Sequence, residues 1–431
     1  MKRRTFLTLV GSAALAGCST DKSTPPVDIA NGISISALPS EESEQQRLGR
    51  TFSLAGFQPT GRAIPAGTEF FVEVDRPGPH VELVIGAPGF GPTDPRVHPL
   101  TDKRFTVTDA EGGPLHIRHT GQASDEPVLV SFGPSVRELP FHRLGQPLDV
   151  WEQALAAAED SAPVQLPSER AVFTLSAAAA RQYLHGDIDQ LLRTYDEIIG
   201  VEDAISGETD DDSPDRRSPL LYYVSQGNPG ENPNATSYRV QYPSDSLDGI
   251  LTVDGLHTSW GMWHELGHMH QQSAWEWDAV TEVTVNIYSL AVQRHFGEPS
   301  RLTAETEFDT AAQFLALPDD QRDYDALAAD HPPIPNAGFF TMLVMFEQLR
   351  LGYGDDFYPN LHRLARRRST APNSEIPTGK DYLMWASSKA SGADLTGFFT
   401  AWGLRPGESV RAAITALGLP PSRPDLTELR S

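Results

Sequence analysis

The stretch His264-Glu265-Leu266-Gly267-His268 has the spacing of a metal-binding helix. Two histidines four apart on an α-helix project from one face, one imidazole a turn above the other, and both can reach a single metal ion. Glu265 then stands beside the ion as a candidate base. The start signals agree: Thr258 or Ser259 can cap, and apolar Trp260, Met262, Trp263 and Leu266 follow. A catalytic zinc site needs a third protein ligand and an open fourth position. Glu276, Asp278 and Glu282 are the nearby downstream carboxylates. Glu282 opens a strongly helical run to Phe296, and a carboxylate on a second, packed helix closes such a site from across the bundle. Glu282 is therefore the third ligand of choice. The competing reading is a solvated helix face whose histidines pair with acids; the flanking aromatics and the carboxylate-led second helix weigh against it.

Around that centre the chain reads as α+β. Its 431 residues, 39% of them hydrophobic, permit a sizeable core and two or three domains. A net charge of −24 argues against nucleic-acid binding and against a basic membrane-surface patch. Residues 1–18 carry Lys2-Arg3-Arg4 before an apolar stretch too short to span a bilayer. Arg3-Arg4-Thr5-Phe6-Leu7 has the form of a twin-arginine export signal. Leu15-Ala16-Gly17-Cys18 resembles a lipoprotein cleavage site, which makes Cys18 the lipidated N-terminus and the protein an exported, membrane-anchored lipoprotein of a bacterial envelope. The alternative is an ordinary secretory signal with an incidental cysteine. Cys18 is the only cysteine, so the expectation is no intramolecular disulfide and no thiolate ligand. Residues 19–32 read as a flexible tether.

Residues 33–145 read as a β-sandwich-like domain, with short, often alternating runs at 68–74, 81–85, 104–108, 115–118 and 127–132 separated by Gly and Pro. A structural role is preferred over glycan binding, and His80, His98, His116 and His119 are read as surface histidines. Residues 146–431 read as the catalytic domain. Helices are expected from Leu148 to Glu159, from Leu175 or Ser176 to Ile199, and over most of the chain after the motif. Strands are expected at 220–225 and 235–243. The acidic loop 206–219 lacks the glycine turn and bidentate glutamate of a calcium loop and is read as solvated. Arg366-Arg367-Arg368 is read as a helix end favoured by the helix dipole, and residues from Pro420 as a loose tail.

Trp263-His-Glu-Leu-Gly-His-Met-His-Gln-Gln272 followed by Glu282-Val-Thr-Val-Asn-Ile-Tyr-Ser-Leu290 resembles the signature of the enhancin-like zinc metallopeptidases. Weaker likeness lies at Pro59–Gly67 and at Ala393–Gly403. The resemblance implies a mainly helical gluzincin domain with a small sheet whose edge can hold an extended substrate. It also implies one zinc on His264, His268 and Glu282, Glu265 as the base, and peptide-bond hydrolysis in mucin-type O-glycosylated proteins. Asn286 lies one turn after Glu282, where related enzymes often place an acid that supports a ligand histidine; here an amide oxygen is the acceptor, or the residue merely packs. His295, Tyr288, Tyr222 and Tyr223 are open candidates for stabilising the oxyanion. Two other readings remain: a glycan-binding surface lipoprotein with a structural zinc, which has no use for Glu265, and a gluzincin of another peptide-substrate class.

Overall fold

The structure is a computed structural model that describes residues 32–91, 94–184, 186–368 and 376–431. Cys18, the signal segment and all but the last residue of the tether lie outside these. The first unit is a sandwich of two antiparallel sheets. One has the order β1 (Ile33–Ile35), β8 (Val128–Phe132), β3 (Glu69–Val74), β6 (Arg104–Thr108). The other runs β5 (Arg96–Pro99), β4 (Val81–Ile85), β7 (Gly113–His119), β2 (Phe57–Ile64), β9 (Arg137–Glu138). Alternation puts Phe70, Val72 and Val74 of one sheet against Leu83, Ile85, Leu115 and Ile117 of the other, closing the sandwich core.

The opposite face of β4, β7 and β2 is covered as well. A third sheet, in the order β10 (Pro163–Pro167), β11 (Ala171–Ser176), β12 (Tyr222–Gly227), β14 (Arg239–Pro243), β13 (Asn234–Thr236), packs against it. Val84 and Phe57 meet Val172 and Tyr223 there. This corrects the reading of two histidines. His116 points into that seam, fully buried, its Nε2 2.9 Å from Gln165 Nε2, and His119 is buried too. Burial pushes the His116 imidazole down to about 3.

In the third sheet β11, β12 and β14 run parallel, and β13 turns back antiparallel to form its edge. The parallel pairing requires a crossover, supplied by helices Ala177–Tyr183 and Ile188–Ile205. The single helix expected from Leu175 or Ser176 to Ile199 therefore begins at Ala177 and is broken, with Ser176 and Asp187 each capping a separate helix. Its first expected residues belong to β11, whose run Ala171-Val-Phe-Thr-Leu-Ser176 is mostly apolar and buried from Ala171 to Leu175 because both faces are covered.

Helix Ile188–Ile205 packs on Asn286–His295, which packs in turn on the motif helix Trp260–His268. Beyond them lies a helical core around Phe339–Tyr353, in which Met342 to Leu349 are all buried. Three surface readings change here. Arg366 is almost wholly buried, donates to the carbonyls of Ser206 and Gly207, and pairs with Asp215 and Glu208, so the acidic loop is docked rather than solvated at these residues. Arg367 also pairs with Asp215, and Arg368 lies over the Tyr382 ring. The tail is anchored: Leu426 is buried in the helical core and Gln348 Nε2 donates to Thr427 O at 2.7 Å. No helix among the described residues is long and apolar enough to cross a membrane.

Candidate active site

Ser259 caps the motif helix, its hydroxyl accepting from the Met262 amide. Apolar Met262, Trp263 and Leu266 bury one side in the core shared with the third sheet, which turns His264, Glu265 and His268 to the other. Glu282 lies in the first turn of the following helical run, Thr281–Thr284, which packs beside them. Its Oε2 is 3.0 Å from His264 Nε2 and 3.7 Å from His268 Nε2. One donor atom from each of the three residues lies within 4.8 Å of the others.

The outer ring nitrogens are fixed by acceptors. His264 Nδ1 donates to Asn286 Oδ1 at 2.9 Å, and Asn286 Nδ2 donates back to the Glu282 carbonyl at 2.8 Å. Trp260 Nε1 donates to the same Oδ1 at 3.0 Å. His268 Nδ1 donates to Gln271 Oε1 at 2.7 Å, while Gln271 Nε2 donates to Thr281 O and Thr284 Oγ1, each at 2.7 Å. Both Nε2 lone pairs therefore face Glu282, the arrangement that neutral histidine ligands require. Two imidazoles and one carboxylate suit zinc.

Glu265 is only 7% exposed, and its Oε2 has no hydrogen-bond partner. Burial pushes its carboxyl up to about 7; the neighbouring His264 opposes that rise and Glu282 adds to it. For His264, burial disfavours the charge, but hydrogen bonds to Glu282 and Asn286 and the nearby Glu265 and Glu282 charges outweigh it and raise the pKa. Burial, then the His264 charge, lowers His268, and the His264 hydrogen bond lowers Glu282.

The other carboxylates are elsewhere. Glu276 accepts from Thr51 Oγ1 at 2.6 Å, and Asp278 opens a short 3₁₀ turn. None of the four oxyanion candidates faces the site. Tyr288 donates to His270 O, Tyr223 to Phe57 O, Tyr222 meets His270 and Arg50, and His295 meets Glu197. All four are engaged elsewhere, the three tyrosines in the buried interior and His295 in an exposed pair.

A strap from the N-terminal unit completes the surroundings. Gly49 to Ala55 runs between the loop after the motif helix and the third sheet. Thr51 N donates to Gln271 O at 2.8 Å, Ser273 N to Gly49 O at 3.1 Å, and Tyr238 N to Ser53 O at 2.7 Å. Ala55 and Leu221 exchange both backbone bonds. The Phe52 ring lies 6.5 Å from that of His268. Arg50 is the pin: its Nη2 is 2.6 Å from Glu208 and 3.2 Å from His270 Nδ1, and its Nη1 is 3.1 Å from the Tyr222 hydroxyl. Asp203, Glu208 and His270 also have metal-like spacing, but the Arg50 guanidinium occupies the space between them and supplies the positive charge. Sequence reasoning passed over Gln271, Trp260 and Arg50. Gln271 alone had a local signal, its place three residues beyond His268.

Residues 138–403 match the family described as peptidase M60, enhancin and enhancin-like. The chain belongs to the M60 family. A crystal structure of a functionally unknown conserved protein from Bacillus anthracis str. Ames is 28% identical, with a TM-score of 0.83 over 93% of this chain and 81% of that one. The M60 catalytic domain of Clostridium perfringens ZmpC, solved in complex with the sialyl T antigen, has a TM-score of 0.75 at 17% identity, over 93% of this chain and 82% of that one. At that identity the likeness speaks to the fold. TRPM8 channel-associated factor 2 of Bos taurus is 23% identical over 316 residues, 72% of this chain and 33% of that protein. The chain thus spans about a third of that relative's length.

Proposed function

We propose that the protein is a zinc-dependent endopeptidase acting on O-glycosylated, mucin-type proteins, held at a bacterial envelope by a lipid on Cys18. The observation that carries the hydrolase reading is Glu265: a buried carboxylate with a free oxygen, beside three converging ligand atoms and not among them. A site that merely holds an ion has no use for it.

One zinc would be held by His264 Nε2, His268 Nε2 and Glu282. Bound zinc supplies a Lewis acid that polarises the scissile carbonyl and lowers the pKa of water to ~7. Glu265 takes the proton of the attacking water and passes it to the leaving amine. Asn286 and Gln271 hold the two imidazoles in the tautomer that leaves Nε2 free. The edge strand β13 lies beside the motif helix and offers main-chain partners to an extended peptide. The O-glycan preference is supported by the M60 relative solved with the sialyl T antigen, and the envelope location by the sequence around Cys18.

The test is Glu265→Gln, which keeps size while removing the base. Zinc content and fold should persist, while hydrolysis of a Ser/Thr-rich O-glycosylated protein falls on the order of 10²–10⁴-fold. Equal cleavage by both proteins eliminates Glu265 as the base. No cleavage by the zinc-loaded wild type, with or without glycans, favours a binding protein.

A further inference from the structure

Position 261 on the motif helix faces the site yet carries no side chain. At 3.6 residues per turn, residues 261, 264, 265 and 268 fall within an arc of about 100°. Gly261 therefore belongs to the same face as the two histidines and Glu265, one turn before Glu265. Its φ is not in the left-handed region, so backbone freedom is not why glycine stands there. The space is already taken: a Cβ at Gly261 would lie 2.5 Å from the Tyr242 hydroxyl and 3.7 Å from that ring's Cζ.

Tyr242 comes from β14, next to the edge strand, and its ring is packed in the core beneath the sheet. It is 6% exposed, and its hydroxyl shares a hydrogen bond with the Ser259 side chain at the helix start. Burial and then the charge of Glu265 raise the phenol further above its usual range, so the hydroxyl keeps its proton at neutral pH and lies within reach of the Glu265 field. The four hydroxyl and imidazole groups considered earlier all point away. Tyr242 is the aromatic hydroxyl delivered to the helix face that bears Glu265.

We propose that Tyr242 is a further catalytic residue, whose hydroxyl, seated over Gly261, hydrogen-bonds the reacting peptide on the side from which Glu265 returns its proton. This rests on the peptidase reading above. The leaving amine must be within reach of Glu265 to receive that proton, which places the peptide next to the Tyr242 hydroxyl. Gly261 is the companion feature: it is vacant so that the phenol can lie there.

The experiment uses full-length zinc-loaded protein and three variants, Tyr242→Phe, Gly261→Ala and the double substitution, beside Glu265→Gln. The probe is a quenched-fluorescent Ser/Thr peptide carrying the sialyl T antigen, and zinc content and thermal midpoint are read in parallel. Tyr242→Phe should keep zinc and thermal midpoint while kcat falls about 10²-fold with KM little changed. Gly261→Ala should lower both kcat and thermal midpoint. In the double variant the added methyl should cost nothing further, because the next ring atom is at ordinary contact distance. If Tyr242→Phe retains kcat within about twofold, the effect of an uninvolved substitution, while Glu265→Gln is inactive, the role of Tyr242 is overturned and the peptidase reading stands. A wild type that cleaves nothing overturns both. Full additivity of the two substitutions in thermal midpoint removes the seating over Gly261 and with it the proposal.

Discussion

Gln271→Met separates two jobs that one side chain performs. Methionine preserves length and volume but neither accepts from His268 Nδ1 nor donates to Thr281 O and Thr284 Oγ1, all three partners now at 2.7 Å. The first loss bears on the metal. Removing the acceptor that orients a ligand histidine costs about 10–100-fold in affinity, or roughly 1.4–2.8 kcal/mol. The second bears on the fold. Thr284 Oγ1 keeps its bond to Val280 O, so two groups, His268 N–H and Thr281 C=O, lose their partners. At about 1–3 kcal/mol each, less about 1.5–3 kcal/mol for the buried methionine, the metal-free protein should lose roughly 1–3 kcal/mol. Competition with a chromophoric chelator reads the first loss, and urea unfolding in chelator reads the second. Gln271→Glu should split them: the carboxylate still accepts from His268, so zinc affinity holds, but it confronts the Thr281 carbonyl and stability falls. Zinc affinity unchanged in Gln271→Met would refute the reasoning, and would leave Gln271 as a tie between two turns with no part in holding the ligand.

Three further outcomes are expected. Arg50→Met removes the cation from among Asp203, Glu208 and His270 and should cost about 3–5 kcal/mol, lowering the thermal midpoint in calorimetry by roughly 3–6 °C for a chain of this size; a midpoint equal to wild type would show that the pin is dispensable. His116, held near 3 by burial, stays neutral in the fold while the unfolded chain takes up a proton below its usual value near 6.5, so stability is lost as pH falls. Between pH 7.5 and 5 wild type should lose about 2 kcal/mol more than His116→Gln in urea midpoints, and parallel pH profiles would contradict this. Cys18→Ser should shift the protein from membrane to soluble fractions or leave the precursor uncut; a processed variant that still sediments with membranes argues against the lipid anchor.

What was legible in the sequence was whatever depends on local spacing. The motif helix, its cap and the run opening at Glu282 follow from residues within a few turns of one another, and the strands at 81–85 and 104–108 follow from alternation between turn residues. What was not legible depends on burial from a distance. His116 sits in an alternating strand whose outer face looks solvent-bound until the third sheet covers it. Arg366 reads as a dipole-favoured helix end because its partners, Ser206 to Asp215, lie about half the catalytic unit away in sequence. The orienting role of Asn286 came from resemblance, and its hydrogen bond to His264 is visible only when the two helices pack. Tyr242 could not be singled out because its meaning depends on an absence, the missing side chain at Gly261.

The strap from Gly49 to Ala55 bears on how this catalytic unit can be transplanted. The family-matched window opens at residue 138, and a fragment cut there would discard Arg50, Thr51 and Phe52 together with the sandwich. It would retain Asp203 and Glu208 without the guanidinium that lies between them in the buried cluster, and Gln271 without the amide that holds its backbone. The sandwich is thus not a detachable cassette. Fusing the window to a different N-terminal module would carry over every metal-binding side chain and still leave behind the peptide that braces Gln271, the residue that orients one of them; a working graft has to begin upstream of Gly49.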